Sequence, residues 1–170
     1  STSEKNRALE TIAASLEENR EAILSANAED VSLARERGLS SALIDRLTLD
    51  PRRFKAMVEG VRHVISLPDP VGEEIWSRER SSGIKIRKVR VPLGVIAVVF
   101  ESRPNVFVDT AALCLKTGNS VILRGGKEAF SSNVCLTNVM REALAASGLP
   151  ADAVQLVMDP TRESANDLMK

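Results

Sequence analysis

Apolar positions change period along this chain, and the changes mark out its elements. From Ser1 to Gly60 they recur at helical spacing. Ser1-x-x-Glu4 has the form of a capping box, and Leu9, Ile12, Ala13 and Leu16 share a face that Ile23 and Leu24 continue. Asn27 is expected to cap a further helix through Arg37, with Gly38 as its stop. Ser40 or Ser41 starts a short helix carrying Leu43, Ile44 and Leu47. Asp50-Pro51 restarts the pattern, with Asp as N-cap and Pro at the first helical position. Phe54, Met57, Val58, Val61, Val64 and Ile65 follow at helical spacing, and Gly60 weakens that helix slightly. Pro68-Asp69-Pro70-Val71-Gly72 then reads as a rigid linker.

The period then shortens. Glu73 to Pro92 reads as two antiparallel strands around Ser81-Ser82-Gly83. Ile84 and Ile86 share one parity, Val89 and Val91 the other, so a bulge near Arg87-Lys88 is expected to keep them on one buried side. Arg78, Arg80, Lys85, Arg87, Lys88 and Arg90 make the hairpin basic. Those charges suit protection of an exposed edge; a subunit contact is the functional alternative.

The stretch from Leu93 to Ala129 organises the rest. Gly94 to Phe100 is a solid apolar run, which predicts a strand buried on both faces. Glu101-Ser102-Arg103-Pro104-Asn105 breaks it. A helix follows whose Val106, Phe107, Val108, Ala111, Ala112, Leu113, Cys114 and Leu115 cover nearly its whole circumference, so it is expected to be buried all round. Gly118 suits the positive φ of a helix end. Ser120 to Leu123 is a second strand, ending in Arg124-Gly125-Gly126-Lys127. The span matches a βαβ unit of ~30 residues, whose right-handed crossover puts both turns at the carboxyl edge of the sheet. Open α/β sheets bind ligands there. A helix after Lys127 running to Ala146, a third strand over Ala153–Met158 and a last helix from Asp159-Pro160 complete the pattern. The fold class is therefore α/β: N-terminal helices and a β-hairpin, then three parallel strands forming half of a doubly wound sheet. The expected units are 1–72 (helical), 73–92 (hairpin) and 93–170 (partial nucleotide-binding sheet).

Composition removes several functions. Lys+Arg and Asp+Glu both number 23, so no global field draws the chain to nucleic acid or a membrane surface. Aromatics are 3% with no Tyr, too few to build stacking platforms for single strands. No apolar run nears the ~20 residues of a membrane span. The start, STSEKNRALE, lacks an apolar signal region and looks trimmed. Cys114 and Cys135 have no CxxC spacing and sit among apolar residues. They read as reduced, cytoplasmic core thiols rather than a disulfide, a metal site or a nucleophile. His63, the sole histidine, lies off the apolar face of its helix and reads as solvated. No metal site is expected.

Chemistry concentrates in the two turns. Neither standard phosphate loop is present. Arg124 and Lys127 flank two glycines that would let a ligand approach the backbone, and together suit a ribose carrying a 2′-phosphate. A tight turn with solvated charges explains the same residues equally well. In the other turn, Arg103 could hold an anionic substrate or a developing oxyanion, while Ser102 and Asn105 are expected to cap the helix.

Three stretches carry a resemblance: VPLGVIAVVFESRPNV (Val91–Val106), DTAALCLKTGNSVILRGGKEA (Asp109–Ala129), and ANAEDVSLARERG (Ala26–Gly38) with LIDRL (Leu43–Leu47). Through them the chain resembles the N-terminal part of the γ-glutamyl phosphate reductase family, also called glutamate-5-semialdehyde dehydrogenase, a divergent branch of the aldehyde dehydrogenase superfamily. The resemblance implies an aldehyde-dehydrogenase-like fold. It also implies a reaction in proline biosynthesis: L-glutamyl 5-phosphate is reduced by NADPH to L-glutamate 5-semialdehyde, with release of phosphate. In that chemistry a cysteine thiolate attacks the acyl phosphate and the thioester accepts hydride. The superfamily's K-P-x-E, which contacts the adenosine ribose, is matched by Arg124 and Lys127; the change of its acid to Lys127 agrees with NADPH. Glu101, Ser102, Gly125 and Gly126 join them as implied cofactor-binding positions. The superfamily's oxyanion-hole Asn is best matched by Arg103, with Asn105 beside it. The family's nucleophilic cysteine is expected beyond residue 170, so this chain alone is expected to be inactive. The resemblance further implies a cytoplasmic homo-oligomer contacting its copies through the 73–92 hairpin, and a glutamate kinase as partner.

Two other assignments stay open on sequence. One is the reductase part of a bifunctional pyrroline-5-carboxylate synthetase, fused to a glutamate kinase. The other is a non-catalytic nucleotide-binding or assembly module.

Overall fold

Local capping chemistry starts several of the helices. The computed structural model describes residues 1–168 and 170. Ser1 and Glu4 form the expected reciprocal box, opening α1 (Thr2–Glu18). The second helix, α2 (Arg20–Glu36), begins seven residues before Asn27, so Asn27 is not a cap. It is buried within α2, where it donates to the Leu47 carbonyl and Ser132 Oγ and accepts from the Leu49 amide. Gly38, at φ 69°, ends that segment as expected. Ser40 caps α3 (Ser41–Leu47), and Asp50 caps α4 (Pro51–Ser66) through the Arg53 amide. His63 is exposed on α4.

β1 (Glu74–Glu79) and β2 (Lys85–Val89) pair antiparallel as a separate two-stranded sheet. Two expectations fail here. The bulge lies on β1, where Ile75 is passed over between the Glu74–Val89 and Trp76–Lys88 pairs, not at Arg87-Lys88. Nor does either side become buried: Ile75, Trp76, Ile84, Ile86 and Val89 all stand exposed.

β3 (Val95–Val99), β4 (Ser120–Arg124) and β5 (Val154–Leu156) form a parallel sheet in that order. α5 (Pro104–Lys116) and α6 (Phe130–Ala146) are the crossovers. Both connections step the same way across the sheet, so right-handed crossovers place both helices on one face. Burial follows that geometry. Val121, Leu123 and Val154 are buried on the helix side, with Ile96, Val98 and Leu156 packed against them. Val95 and Val99, on the other parity, are 66% and 46% exposed. The expectation that this strand is buried on both faces is therefore corrected: one face of the sheet is bare in this chain. α5 is mostly buried, with Phe107, Val108, Ala111, Ala112 and Leu115 in the core, but Leu113 is exposed. Gly118 ends it at φ 72°.

The third strand is shorter than expected and follows a 3₁₀ turn at Ala151–Ala153. α6 begins later than expected, at Phe130, after a 3₁₀ turn at Lys127–Ala129. Its amino terminus has no side-chain cap of its own. Instead Asp30 of α2 accepts from the Ser131 and Ser132 amides and from Ser132 Oγ at 2.7–3.1 Å. α7 (Arg162–Leu168) follows the loop at Asp159–Thr161. Helices α1, α4, α5 and α6 close one core over the sheet's covered face.

Candidate functional site

The carboxyl ends of β3 and β4 are adjacent, with Val99 paired to Arg124, so the turns at 101–105 and 124–127 share one edge. Each turn leaves its strand where β-pairing stops. The sequence-predicted residues do gather there, although several have partners the sequence did not suggest.

Ser102 and Asn105 were expected to cap α5, and neither does. The start of α5 has no side-chain cap. Ser102 is buried and its hydroxyl donates to Glu128 Oε2 at 2.9 Å, tying the two turns together. Asn105 is half-buried and donates from Nδ2 to Asp109 Oδ2 at 3.2 Å, one helical turn along. Glu101 is exposed and lies 3.6 Å from Arg46 Nη1. Arg103 precedes Pro104 in extended backbone, as a residue before proline should, and is exposed with no ionic or hydrogen-bonded side-chain partner among the described residues.

In the second turn, Arg124 Nη2 donates to the Pro160 and Thr161 carbonyls, each at 2.7 Å, while its Nε is buried without a partner. Gly125 is buried. A Cβ there would lie 2.2 Å from Asn133 Nδ2 and 3.0 Å from Phe100 Cζ. At Gly126 a Cβ would meet Ser102 Oγ and Glu128 Oε2, both at 2.9 Å. The space vacated by these glycines is thus filled by the protein's own side chains. Lys127 is exposed. The α6 amino terminus, which phosphate loops normally offer to an anion, is occupied by Asp30. The cations at this turn are therefore on side chains: Lys127 has no ion pair or hydrogen bond among the described residues, and Arg124 is half committed.

Three of the cavities along this edge share walls in a row. One of about 530 Å³ lies between α3, α4 and the start of α5, lined by Asp45, Arg46, Arg53, Arg103, Asn105 and Asp109, with Gly60 in its wall. A second, of about 450 Å³, takes Arg46, Glu101, Ser102, Arg124 and Gly126. The third, about 520 Å³, takes Arg124, Gly126, Lys127, Glu128, Pro160 and Thr161. Arg46 joins the first to the second, and Arg124 the second to the third.

The residues that sequence reasoning missed are Asp109, Arg46, Asp45 and Gly60. Asp109 left a signal: a lone acid four residues after Asn105 in an otherwise apolar helix. Burial pushes its carboxyl above the usual carboxylate range, and the Asn105 hydrogen bond opposes this. Neither cysteine is poised for nucleophilic work, because burial raises both the Cys114 and Cys135 thiols. No helix among the described residues is long and apolar enough to cross a membrane.

The sequence matches the aldehyde dehydrogenase family over residues 1–170. It is similar to γ-glutamyl phosphate reductase from Carboxydothermus hydrogenoformans, 55% identical over the whole chain and 41% of that protein. The same enzyme from Thermobifida fusca is 52% identical over 98% of the chain and 40% of its own length. Among solved structures, γ-glutamyl phosphate reductase from Thermotoga maritima superposes with a TM-score of 0.97 at 44% identity, covering all of this chain and 41% of that one. A probable aldehyde dehydrogenase from Listeria monocytogenes, 17% identical, matches over the full chain and 35% of its own with a TM-score of 0.71, which supports the fold alone. The chain spans about 40% of the length of the curated relatives it matches.

Proposed function

This chain belongs to the aldehyde dehydrogenase family, and from that premise we propose that it is the N-terminal, cofactor- and substrate-binding part of a cytoplasmic γ-glutamyl phosphate reductase. The observation that carries this is whole-chain similarity to γ-glutamyl phosphate reductases at 52–55% identity, with a TM-score of 0.97 to one solved example. The family membership implies a nicotinamide cofactor, and NADPH is the form proposed here.

The third cavity fits the phosphorylated ribose end of that cofactor. It offers the free Lys127 ammonium and an Arg124 guanidinium already held in place by the Pro160 and Thr161 carbonyls. A fixed guanidinium loses little freedom on meeting a phosphate. Glu101, Ser102 and Gly126 shape the wall between this end and the substrate side, with Gly125 buried behind them. When bound, the nicotinamide supplies the hydride. Arg103 and Asn105 face the substrate side, where Arg103 has no internal partner to give up before meeting an anion.

The nucleophile is not among these residues. Cys114 is buried and Cys135 half-buried, and burial raises both thiols, so the thiolate that displaces phosphate from the acyl carbon comes from a part of the protein outside this chain. The exposed apolar residues of the hairpin, Ile75, Trp76, Ile86 and Val89, supply the contact through which copies associate.

The test is the reverse reaction in the natural full-length protein that carries this sequence. Oxidation of glutamate 5-semialdehyde should need inorganic phosphate and should prefer NADP+ to NAD+. Oxidation that ignores phosphate would remove the acyl-phosphate assignment.

A further inference from the structure

We propose that the cavity between α3, α4 and α5 holds the α-amino-acid head of the substrate, with Asp109 receiving its ammonium group and Arg103 its carboxylate. This rests on the reductase assignment above and adds which end of the substrate sits where.

The charges in the cavity are mostly spent on each other. Arg53 Nη2 donates to Asp45 Oδ1 at 2.8 Å, and its Nη1 donates to the Asp45 and Thr48 carbonyls. Arg46 faces Glu101. Two opposite charges remain without an opposite partner among the described residues: Arg103 and Asp109. A half-buried carboxylate with no cation is unfavourable until one arrives. A single side-chain amide, Asn105 Nδ2, holds its Oδ2 and leaves Oδ1 with no donor among the described residues. Gly60 keeps the space at Oδ1 open, since a Cβ there would sit 3.2 Å from it. One unspent anion and one unspent cation on the walls of one cavity complement a zwitterion. The same anion repels a simple dicarboxylic acyl group that lacks the amine, so the pair selects as well as binds.

The volume suits this. About 530 Å³ lies within the ordinary range of small-molecule sites. Arg46, shared with the next cavity, marks the passage toward Glu101, Ser102 and Arg124. The head group then lies at one end of the row and the cofactor's phosphorylated ribose at the other, which leaves the reacting carbonyl between them.

The experiment uses the full-length protein and three aldehydes: glutamate 5-semialdehyde, 5-oxopentanoate (the same chain without the amine) and pentanal (without amine or carboxylate). Asp109→Asn should lower the ratio of kcat/KM for the semialdehyde to that for 5-oxopentanoate by roughly 10- to 100-fold, as expected for losing one charge-assisted hydrogen bond. Arg103→Gln should lower kcat/KM for both carboxylate-bearing aldehydes relative to pentanal by a similar factor, mostly through KM. Each ratio compares two substrates on one sample, so a partly unfolded variant does not shift it. If the wild-type protein is active and Asp109→Asn leaves its ratio unchanged, the head-group assignment falls while the reductase assignment stands. If the wild-type protein oxidises none of the three with phosphate, both fall together.

Discussion

Gly60 and Asp109 face each other across the boundary of α4 and α5, with room for no more than a hydrogen on Gly60 before the Asp109 carboxylate is crowded at 3.2 Å. Glycine inside a helix costs about 1 kcal/mol relative to alanine. Gly60→Ala should therefore leave thermal stability equal or slightly raised, because better helix propensity offsets the crowding. The KM for the semialdehyde should rise several-fold as the methyl displaces the carboxylate. Melting curves and steady-state kinetics on one preparation check both. A loss of stability with unchanged KM would make Gly60 a packing residue only.

Asp69 gives the chain a pH dependence of determinable sign. Burial would raise its pKa, but hydrogen bonds from Lys5, Thr2 and the Val71 amide outweigh that and lower it to about 2. A depressed carboxylate stabilises above its unfolded pKa, and that contribution is lost as pH falls from about 4 toward 2. Asp69→Asn should cost on the order of 1 kcal/mol at neutral pH, allowing for solvent screening at this rim position. That cost should shrink steeply as pH falls toward 2 and vanish only below it. Denaturant midpoints at both pH values test this.

These examples show which features the sequence made legible. Ser1 with Glu4, Asp50 with Pro51, and Gly118 are local devices whose partners lie within a few residues, and all three read correctly. Asn27 did not, and Asp30 gave no signal at all, because both bond to Ser132, more than 100 residues away, and no local pattern records that pairing. The hairpin bulge was placed on the wrong strand, since alternation on β2 cannot say which partner strand carries the extra residue. At the site, topology alone brought the turns at 101–105 and 124–127 to one edge. Asp109 escapes notice in a helix whose pattern is nearly all apolar, and Ser102 resembles a cap because its true partner, Glu128, lies on the other turn.

The two cations of the second turn should separate by experiment. Lys127→Glu should raise KM for NADPH roughly 10- to 100-fold and leave that for NADH nearly unchanged, because only the 2′-phosphate meets the new charge. Arg124→Ala should also destabilise the protein, by about 1–3 kcal/mol, since it frees two carbonyls of the 160–161 segment and loses the packing of its stem. Cofactor kinetics and unfolding midpoints distinguish the two effects.

The exposed hairpin predicts assembly through apolar contact. Trp76→Asp or Ile86→Asp should weaken self-association of the full-length protein in sedimentation velocity while leaving the monomer folded, because both side chains are solvent-exposed within the chain, at 46% and 37%. An unchanged oligomer would move the interface elsewhere.

The central claim is that this chain binds substrate and cofactor while the nucleophile comes from outside it. The direct measurement supplies glutamate 5-semialdehyde, phosphate and NADP+ to this chain alone and to the full-length protein, and follows formation of NADPH by absorbance. The account predicts turnover by the full-length protein and none by the chain. Turnover by the chain alone would contradict it, and would require Cys114 or Cys135 to leave the core and act as the thiolate.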